Sequence, residues 1–458
     1  MKKLAKILLP LLMAAPLASG ALKAGAAAVD ITPPEGIPLA GYYVERGADG
    51  TLDPLFAHAL VLENEGTRVA LVTLDLISTT RTIVEEARNE IQTATGIPGP
   101  HVMISATHAH TGPVLAAGNL RDGSIVQGKE LVQEFSAKLP GRIAQSVVHA
   151  AAKLVEARLF AGMGRETQLS FNRRFYMKDG TVAWNPGKNN PAIMRPAGPI
   201  DADVGVLLIN NAAATSLAAY VNFAMHPDTT GGNKFSADYP GALARQLAGY
   251  RGPELVTLFA NGCSGNLNHV DVTWADPQKG PREAHRIGTI LAASVMQTCK
   301  KLRPVPDGPL RVRSEMVALD LPVIDESEVA AAREVVARKG TSQPPAFVEQ
   351  VRAYRALDVA ARNGKPHQVE VQIIALGPDL AWVGLPGEIF VELGLAIKEG
   401  SRFEHTMIAE LANGSIGYIP NHKAYAEGAY EVISARCADG SGERLVDTAV
   451  RLLRELQR

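Results

Sequence analysis

The stretches RVALVTLDLI (68–77), IVEEARNEIQT (83–93) and VMISATHAHTGP (102–113) decide the fold class. The first is dense in Val and Leu and reads as a strand. The second carries its apolar residues at helical spacing, and the third returns to a strand that Gly112-Pro113 ends. Strand, helix and strand in alternation predict an α/β core. Upstream, residues 26–31 and 56–63 read as further strands. Downstream the pattern recurs, with strands at 203–209, 216–223 and 255–259 and helices at 241–250 and 285–302. Residues 312–321, 369–375 and 380–385 extend the sheet, and 445–456 is an amphipathic helix. Between them, 326–363 is charged and Ala-rich, a helical excursion broken at 340–345. No repeat or linker divides the chain. The expectation is α/β, with mixed β-sheets flanked by helices in a single large catalytic domain over residues 23–458.

Of 458 residues 46% are hydrophobic and 20% charged, as in a soluble globular enzyme, and a net charge of −1 lacks the basic surplus that nucleic acid requires. No Lys/Arg cluster suits anionic lipid. Lys2, Lys3 and Lys6 precede an apolar run over 7–18, with small residues Ala18-Ser19-Gly20 after it. This is the pattern of a signal peptide, expected over residues 1–22, which implies a periplasmic or secreted protein. Pro10 and Pro16 and the brevity of the run argue against a membrane anchor, since a span takes roughly 20 apolar residues. Cys263, Cys299 and Cys437 allow at most one disulfide, so the fold must rest on its core.

Four islands place metal-binding residue types at strand ends. In Ser105-Ala106-Thr107-His108-Ala109-His110 two imidazoles at i and i+2 of an extended segment would share a face and approach one cation, or be two polar residues on a half-buried strand. His226 follows the apolar strand 216–223. Asp238, a little further on, could cap a helix or accept from a metal-ligating His, with capping preferred. Phe259-Ala260-Asn261-Gly262-Cys263-Ser264-Gly265-Asn266-Leu267-Asn268 reads as a strand running into a tight turn whose N–H groups could face an oxyanion, or merely as a strand-to-loop junction, with Cys263 a buried small hydrophobe rather than a nucleophile. Pro386-Gly387-Glu388 and Asn413-Gly414-Ser415-Ile416-Gly417-Tyr418 put a carboxylate and a phenol after the last strands.

Taken in order, these segments resemble the neutral (non-lysosomal) ceramidases. The resemblance starts at Asp30-Ile31-Thr32-Pro33 and Asp53-Pro54-Leu55-Phe56-Ala57 and runs through Thr107-His-x-His-x-Gly-Pro113, Asn172-Arg173 and His226-Pro227. It continues with Gly265-Asn266-Leu267, Pro386-Gly387-Glu388, Tyr418-Ile419, Tyr425 and Tyr430-Glu431. It implies a zinc ion, Zn2+, on His108, His226, Glu388 and Tyr418. It also implies His110 as an acid/base or oxyanion group and Arg173 as a hold on a substrate oxygen. In the family a serine follows the Gly-Asn-x motif; here Asn268 stands in its place. The family carries a β-sandwich domain after the catalytic one, and this chain is expected to be a divergent bacterial-type member without it.

The expected function is therefore hydrolysis of an N-acyl amide bond in a small-molecule or lipid-like substrate by a metal-activated water. Tyr418 would steady the oxyanion, and Asn268 would position the substrate or the water. Two alternatives stay open: a metal-dependent esterase or carbohydrate-active hydrolase with a polar pocket, and a non-catalytic binding protein that has lost the nucleophile.

Overall fold

The computed structural model describes residues 21–116, 118–125 and 127–457, so the expected signal peptide lies, as far as residue 20, outside the described residues. Leu22, which the sequence reading placed in that leader, is 2% exposed, and its carbonyl accepts the Ala157 N–H at 2.9 Å. The folded unit therefore includes it.

The expected α/β class holds: mixed sheets flanked by helices. A nine-stranded sheet runs in the order Val256–Asn261, Ser216–Phe223, Asp203–Asn211, Val155–Arg165, Lys23–Asp30, Phe56–Asn64, Thr67–Leu74 and Val102–Ala106, with Arg303–Pro304 beside Val155–Arg165. Its two terminal pairs are parallel. Val69 to Leu74 is buried on both faces, as parallel strands between layers are. The helix Arg81–Thr95 starts on the Thr80 side chain, which accepts the Ile83 N–H, and ends at Gly96 in left-handed backbone. It turns Ile83, Val84, Ala87 and Ile91 onto the sheet beside the helix Lys129–Ala152. Each large apolar side chain so buried stabilises the fold by roughly 1.5–3 kcal/mol. Asp238–Arg251 and Pro281–Cys299 cover the other end of the sheet. A second sheet, Leu310–Leu319, His367–Leu376, Leu380–Gly384 and His405–Ala409, is covered by Val391–Gly400 and Ser441–Leu456.

One junction positions the site. Val256–Asn261, at one end of the strand order, approaches Phe56–Asn64, Thr67–Leu74 and Val102–Ala106 at the other, so the large sheet curls back on itself. Residues 410–413 stitch the gap. Glu410 N–H donates to Asn261 O at 2.9 Å, Ala106 N–H to Leu411 O at 3.2 Å and Asn413 N–H to Ile104 O at 2.7 Å. The Asn413 side chain also accepts from Ile104 N at 3.0 Å. Two strands distant in the order, Val102–Ala106 and Ser216–Phe223, thus deliver the loops that follow them to one place.

The helical excursion is two helices, Glu326–Ala337 and Phe347–Ala360. Two further elements, the helix Lys129–Ala152, which holds Pro140 in its interior, and the strand Val155–Arg165, lie outside the segments expected from the sequence. Proline normally breaks a helix there, so the local signal pointed the wrong way.

Candidate metal centre

The strand Val102–Ala106 stops two residues before His108, whose φ of 75° lies in the left-handed region rarely taken by residues with a Cβ. The backbone is held there by His108 N–H on Leu76 O at 2.9 Å, and Nδ1 sits 2.8 Å from Ile77 O. This corrects the extended geometry expected for the His-x-His pair. A turn, not a strand face, brings the two rings together, with their Nε2 atoms 3.3 Å apart. His226 lies three residues beyond Ser216–Phe223, in a loop pinned by Ser170 Oγ on Ala224 O at 2.8 Å and Tyr239 Oη on Met225 O at 2.7 Å. Its Nδ1 is 2.9 Å from Ser264 O. With a carbonyl facing each Nδ1, the proton of each neutral ring belongs on Nδ1 and Nε2 faces inward. Burial works against a charge on His108, but Glu388 overcomes it and raises that ring, so a cation bound there takes the place of its Nε2 proton.

Glu388 and Tyr418 are register partners on two short parallel strands, Glu388–Ile389 and Tyr418–Ile419. Glu388 Oε2 lies 3.4 Å from His108 Nε2 and 3.3 Å from His226 Nε2. His226 Nε2 is nonetheless buried without a hydrogen-bond partner. Inward-facing Nε2 atoms and a carboxylate oxygen around one point are a donor set that a cation completes. His110 lies close as well: the three buried histidines, 108, 110 and 226, have ring nitrogens within 4.8 Å of one another, near enough to hold one metal ion.

Burial, with Arg173 and His108 nearby, keeps His226 well below the ordinary histidine range, hence neutral and able to ligate. Burial and His108 do the same to His110. Burial works against the Glu388 charge, but His108 and His226 overcome it and hold the carboxyl well below its usual range. Burial and Glu388 push the Tyr418 phenol well up, so it stays protonated. His110 Nδ1 has no hydrogen-bond partner and lies 3.8 Å from Asp228 Oδ1, which also accepts from the Tyr42 hydroxyl.

Arg173 spends its fork on the protein. Nε donates to Glu431 Oε1 at 2.8 Å, and Nη2 donates to Gly265 O at 2.7 Å and Tyr418 Oη at 3.1 Å. It aims Tyr418. Asn268 pairs through Nδ2 with Asn185 Oδ1 at 2.9 Å and accepts from Val270 N at 3.0 Å. The Gly262, Ser264, Gly265 and Leu267 N–H groups of the turn donate to Phe223 O, Glu410 Oε2, Ile389 O and Ser264 O, so these four serve the strand-to-loop junction and not an oxyanion. Ser264 Oγ donates to Glu410 at 2.6 Å, and burial pushes the Cys263 thiol up, so neither is a ready nucleophile. Asp238 accepts the Thr229 and Thr230 N–H groups and so fixes the loop after His226 rather than touching that ring.

A cavity of about 440 Å³ opens on this cluster, lined by His108, His110, Glu388 and Tyr418, while Arg173, His226 and Asn268 are absent from its wall. Its volume suits a small ligand.

A family model described as neutral/alkaline non-lysosomal ceramidase, N-terminal, matches residues 22–244. Over that stretch, just under half of the chain, the sequence resembles this ceramidase family. The matched part holds His108, His110, Arg173 and His226. Glu388 and Tyr418 lie beyond it, where the fold carries the likeness. The crystal structure of neutral ceramidase from Pseudomonas aeruginosa superposes with a TM-score of 0.74 at 22% identity, over 95% of this chain and 75% of that one. A structure of a ceramidase complexed with C2 gives 0.74 at 21% identity, over 95% and 76%. No curated protein sequence matches the chain significantly.

Around these histidines the structure adds residues that the sequence did not mark. Glu410, fully buried, accepts from Ser264 and Ile389 N–H groups at 3.1 and 2.9 Å and so ties the turn behind His226 to the Glu388 strand. Glu431 anchors Arg173. A buried carboxylate among apolar neighbours is the only sequence signal of either, and it does not say which donor it meets. Gly265 is a third: a Cβ there would lie 2.4 Å from Glu388 O. Gly265→Ala is therefore expected to destabilise the protein by about 1–3 kcal/mol and to weaken metal binding by displacing Glu388. Thermal unfolding and metal titration of the variant check this, and unchanged values in both would refute it.

Proposed function

We propose that the chain is an exported zinc-dependent hydrolase that cleaves an N-acyl amide bond. The family and fold support a hydrolase of the ceramidase type. The observation that carries the metal is the meeting of the His108 and His226 Nε2 atoms at one oxygen of Glu388, with His226 Nε2 otherwise unpartnered. Two neutral imidazoles and a carboxylate, with Tyr418 beside them, suit zinc. A divalent ion held there supplies Lewis acidity, polarising a carbonyl and acidifying water.

The chain's own residues supply the rest. His110, neutral and with an unpartnered Nδ1, takes a proton and returns it to the leaving amine, and Asp228 lies within reach to steady the cation so formed. Tyr418, kept protonated by burial and aimed by Arg173, donates to the oxygen that gains charge. Arg173 acts in this scheme as a positioning residue. Asn268 contributes through the Asn185 contact on the turn that also carries Gly265.

Export is supported by the Lys2–Lys6 and 7–18 pattern of the leader. Among the described residues no helix is long and apolar enough to cross a membrane.

The cavity wall favours a small polar substrate over a long-chain lipid, because Arg81, Arg121, Arg362, Arg436, Asp122 and Asp358 line it. That polarity equally suits an ester or a glycoside as the bond cleaved. A screen of N-acyl, ester and glycoside substrates with and without chelator decides between them: chelator-sensitive release of amines from N-acyl compounds supports the amidase, and turnover of esters or glycosides alone overturns it. Asn268→Ala is expected to keep its metal and lose less than about tenfold in kcat/KM, the effect of one hydrogen bond. Metal loss, read by elemental analysis, would contradict that. If Asn268→Ser strongly raises ceramide turnover, the substrate has drifted with the missing serine.

A further inference from the structure

The charged wall of the cavity does not balance. Arg436 donates from Nε and Nη2 to Asp358 Oδ2 at 2.7 and 2.6 Å, and Asp358 Oδ1 accepts Leu120 N at 2.9 Å. Arg121 donates to Asp122 Oδ1 at 2.8 Å, and Asp122 Oδ2 accepts from Asn119. Arg81 pairs with Glu85 at 2.7 Å and with Glu370, which also takes Arg88 at 2.7 Å. Glu388 is committed to the histidines. Arg362 is different. It follows the helix Phe347–Ala360, and its Nε and Nη2 donate to the carbonyls of Lys365 and Pro366 at 3.0 and 2.8 Å. Among the described residues no carboxylate pairs with it, although it lines the cavity.

We infer that the cavity binds a substrate carboxylate at Arg362, beside Arg436 and His367, so that the N-acyl compound cleaved at the metal centre is an anionic one of the N-acyl amino acid class. The inference rests on the amidase reading above for the bond and on the charge ledger for the anion. Two neutral carbonyls orient the guanidinium without consuming its charge, which leaves a planar fork for a planar anion. One uncompensated cation matches one negative charge, hence a carboxylate rather than a phosphate dianion. His367 senses the same field: burial, then Arg362, lowers it to about 4, so it faces the cavity neutral and adds no competing charge. The carboxylates nearest this end, Asp358 and Asp122, are each tied to an arginine.

The test uses metal-loaded protein and two substitutions, Arg362→Gln, which removes the charge, and Arg362→Lys, which keeps it. N-acetyl amino acids are compared as substrates with their carboxamides, and benzoate with benzamide as ligands by calorimetry. The carboxylate forms are expected to be favoured by about 10- to 100-fold, a charged hydrogen-bond pair's effect. Arg362→Gln should erase that preference through KM, and Arg362→Lys should keep most of it. Equal binding of benzoate and benzamide to the wild type, or an unchanged preference in Arg362→Gln with its melting temperature intact, would overturn the subsite. Benzoate binding that depends on Arg362, with no N-acyl compound hydrolysed, would uphold the subsite and sink the amidase reading instead.

Discussion

His226→Ala is expected to leave the protein without its metal and to lower kcat/KM by roughly a thousandfold or more, about 4 kcal/mol of transition-state stabilisation. The reason is local. His226 Nε2 is a buried lone pair with no other partner, its Nδ1 is fixed by Ser264 O at 2.9 Å, and the ring is 1% exposed, so nothing else can fill its place. Metal content by elemental mass spectrometry and initial rates are the readouts. His110→Ala separates two donor sets. If His108, His226, Glu388 and Tyr418 hold the ion, that variant keeps its metal and loses rate. If the three histidines hold it, metal goes too. A His226→Ala protein with full metal would contradict both.

Glu431→Ala is expected to cost about 3–5 kcal/mol of stability, the price of removing one member of a buried ion pair. Glu431 is 0% exposed and lies between Arg173 Nε at 2.8 Å and Arg174 Nη1 at 3.2 Å. Arg174 keeps Glu427 at 3.2 Å, but Arg173 keeps only uncharged partners, Gly265 O and Tyr418 Oη. The arginine side chains are 5% and 2% exposed, so water does not replace the lost carboxylate. Because Arg173 aims Tyr418, kcat should fall as well. Urea unfolding gives the stability change, and a loss below about 1 kcal/mol would mean the network matters less than its burial implies.

Much of this was legible beforehand because strand-ending histidines announce themselves. The apolar strand 216–223 followed by His226, and 102–107 followed by His108, need no tertiary knowledge to attract notice. Glu388 and Tyr418 became readable only through the order of motifs, since a carboxylate and a phenol after strands are individually ordinary. The left-handed turn at His108 was hidden because its cause, the carbonyls of Leu76 and Ile77, lies about thirty residues away on another loop. Sheet closure by residues 410–413 was hidden for the same reason. Arg173 was recognised, but its contacts to Glu431, Gly265 and Tyr418 were hidden, since sequence cannot tell which groups a guanidinium faces. The arginines at 81, 121, 362 and 436 are too scattered to register as a cluster, yet the excursion and the loops bring them to one wall.

The most direct test of the central claim is the metal content of the purified, unchelated protein. About one equivalent of zinc per chain is expected, removable by chelator with loss of activity and restored with it. Less than about half an equivalent of any transition metal, even after reconstitution with a wild-type chain shown to be folded, would contradict it.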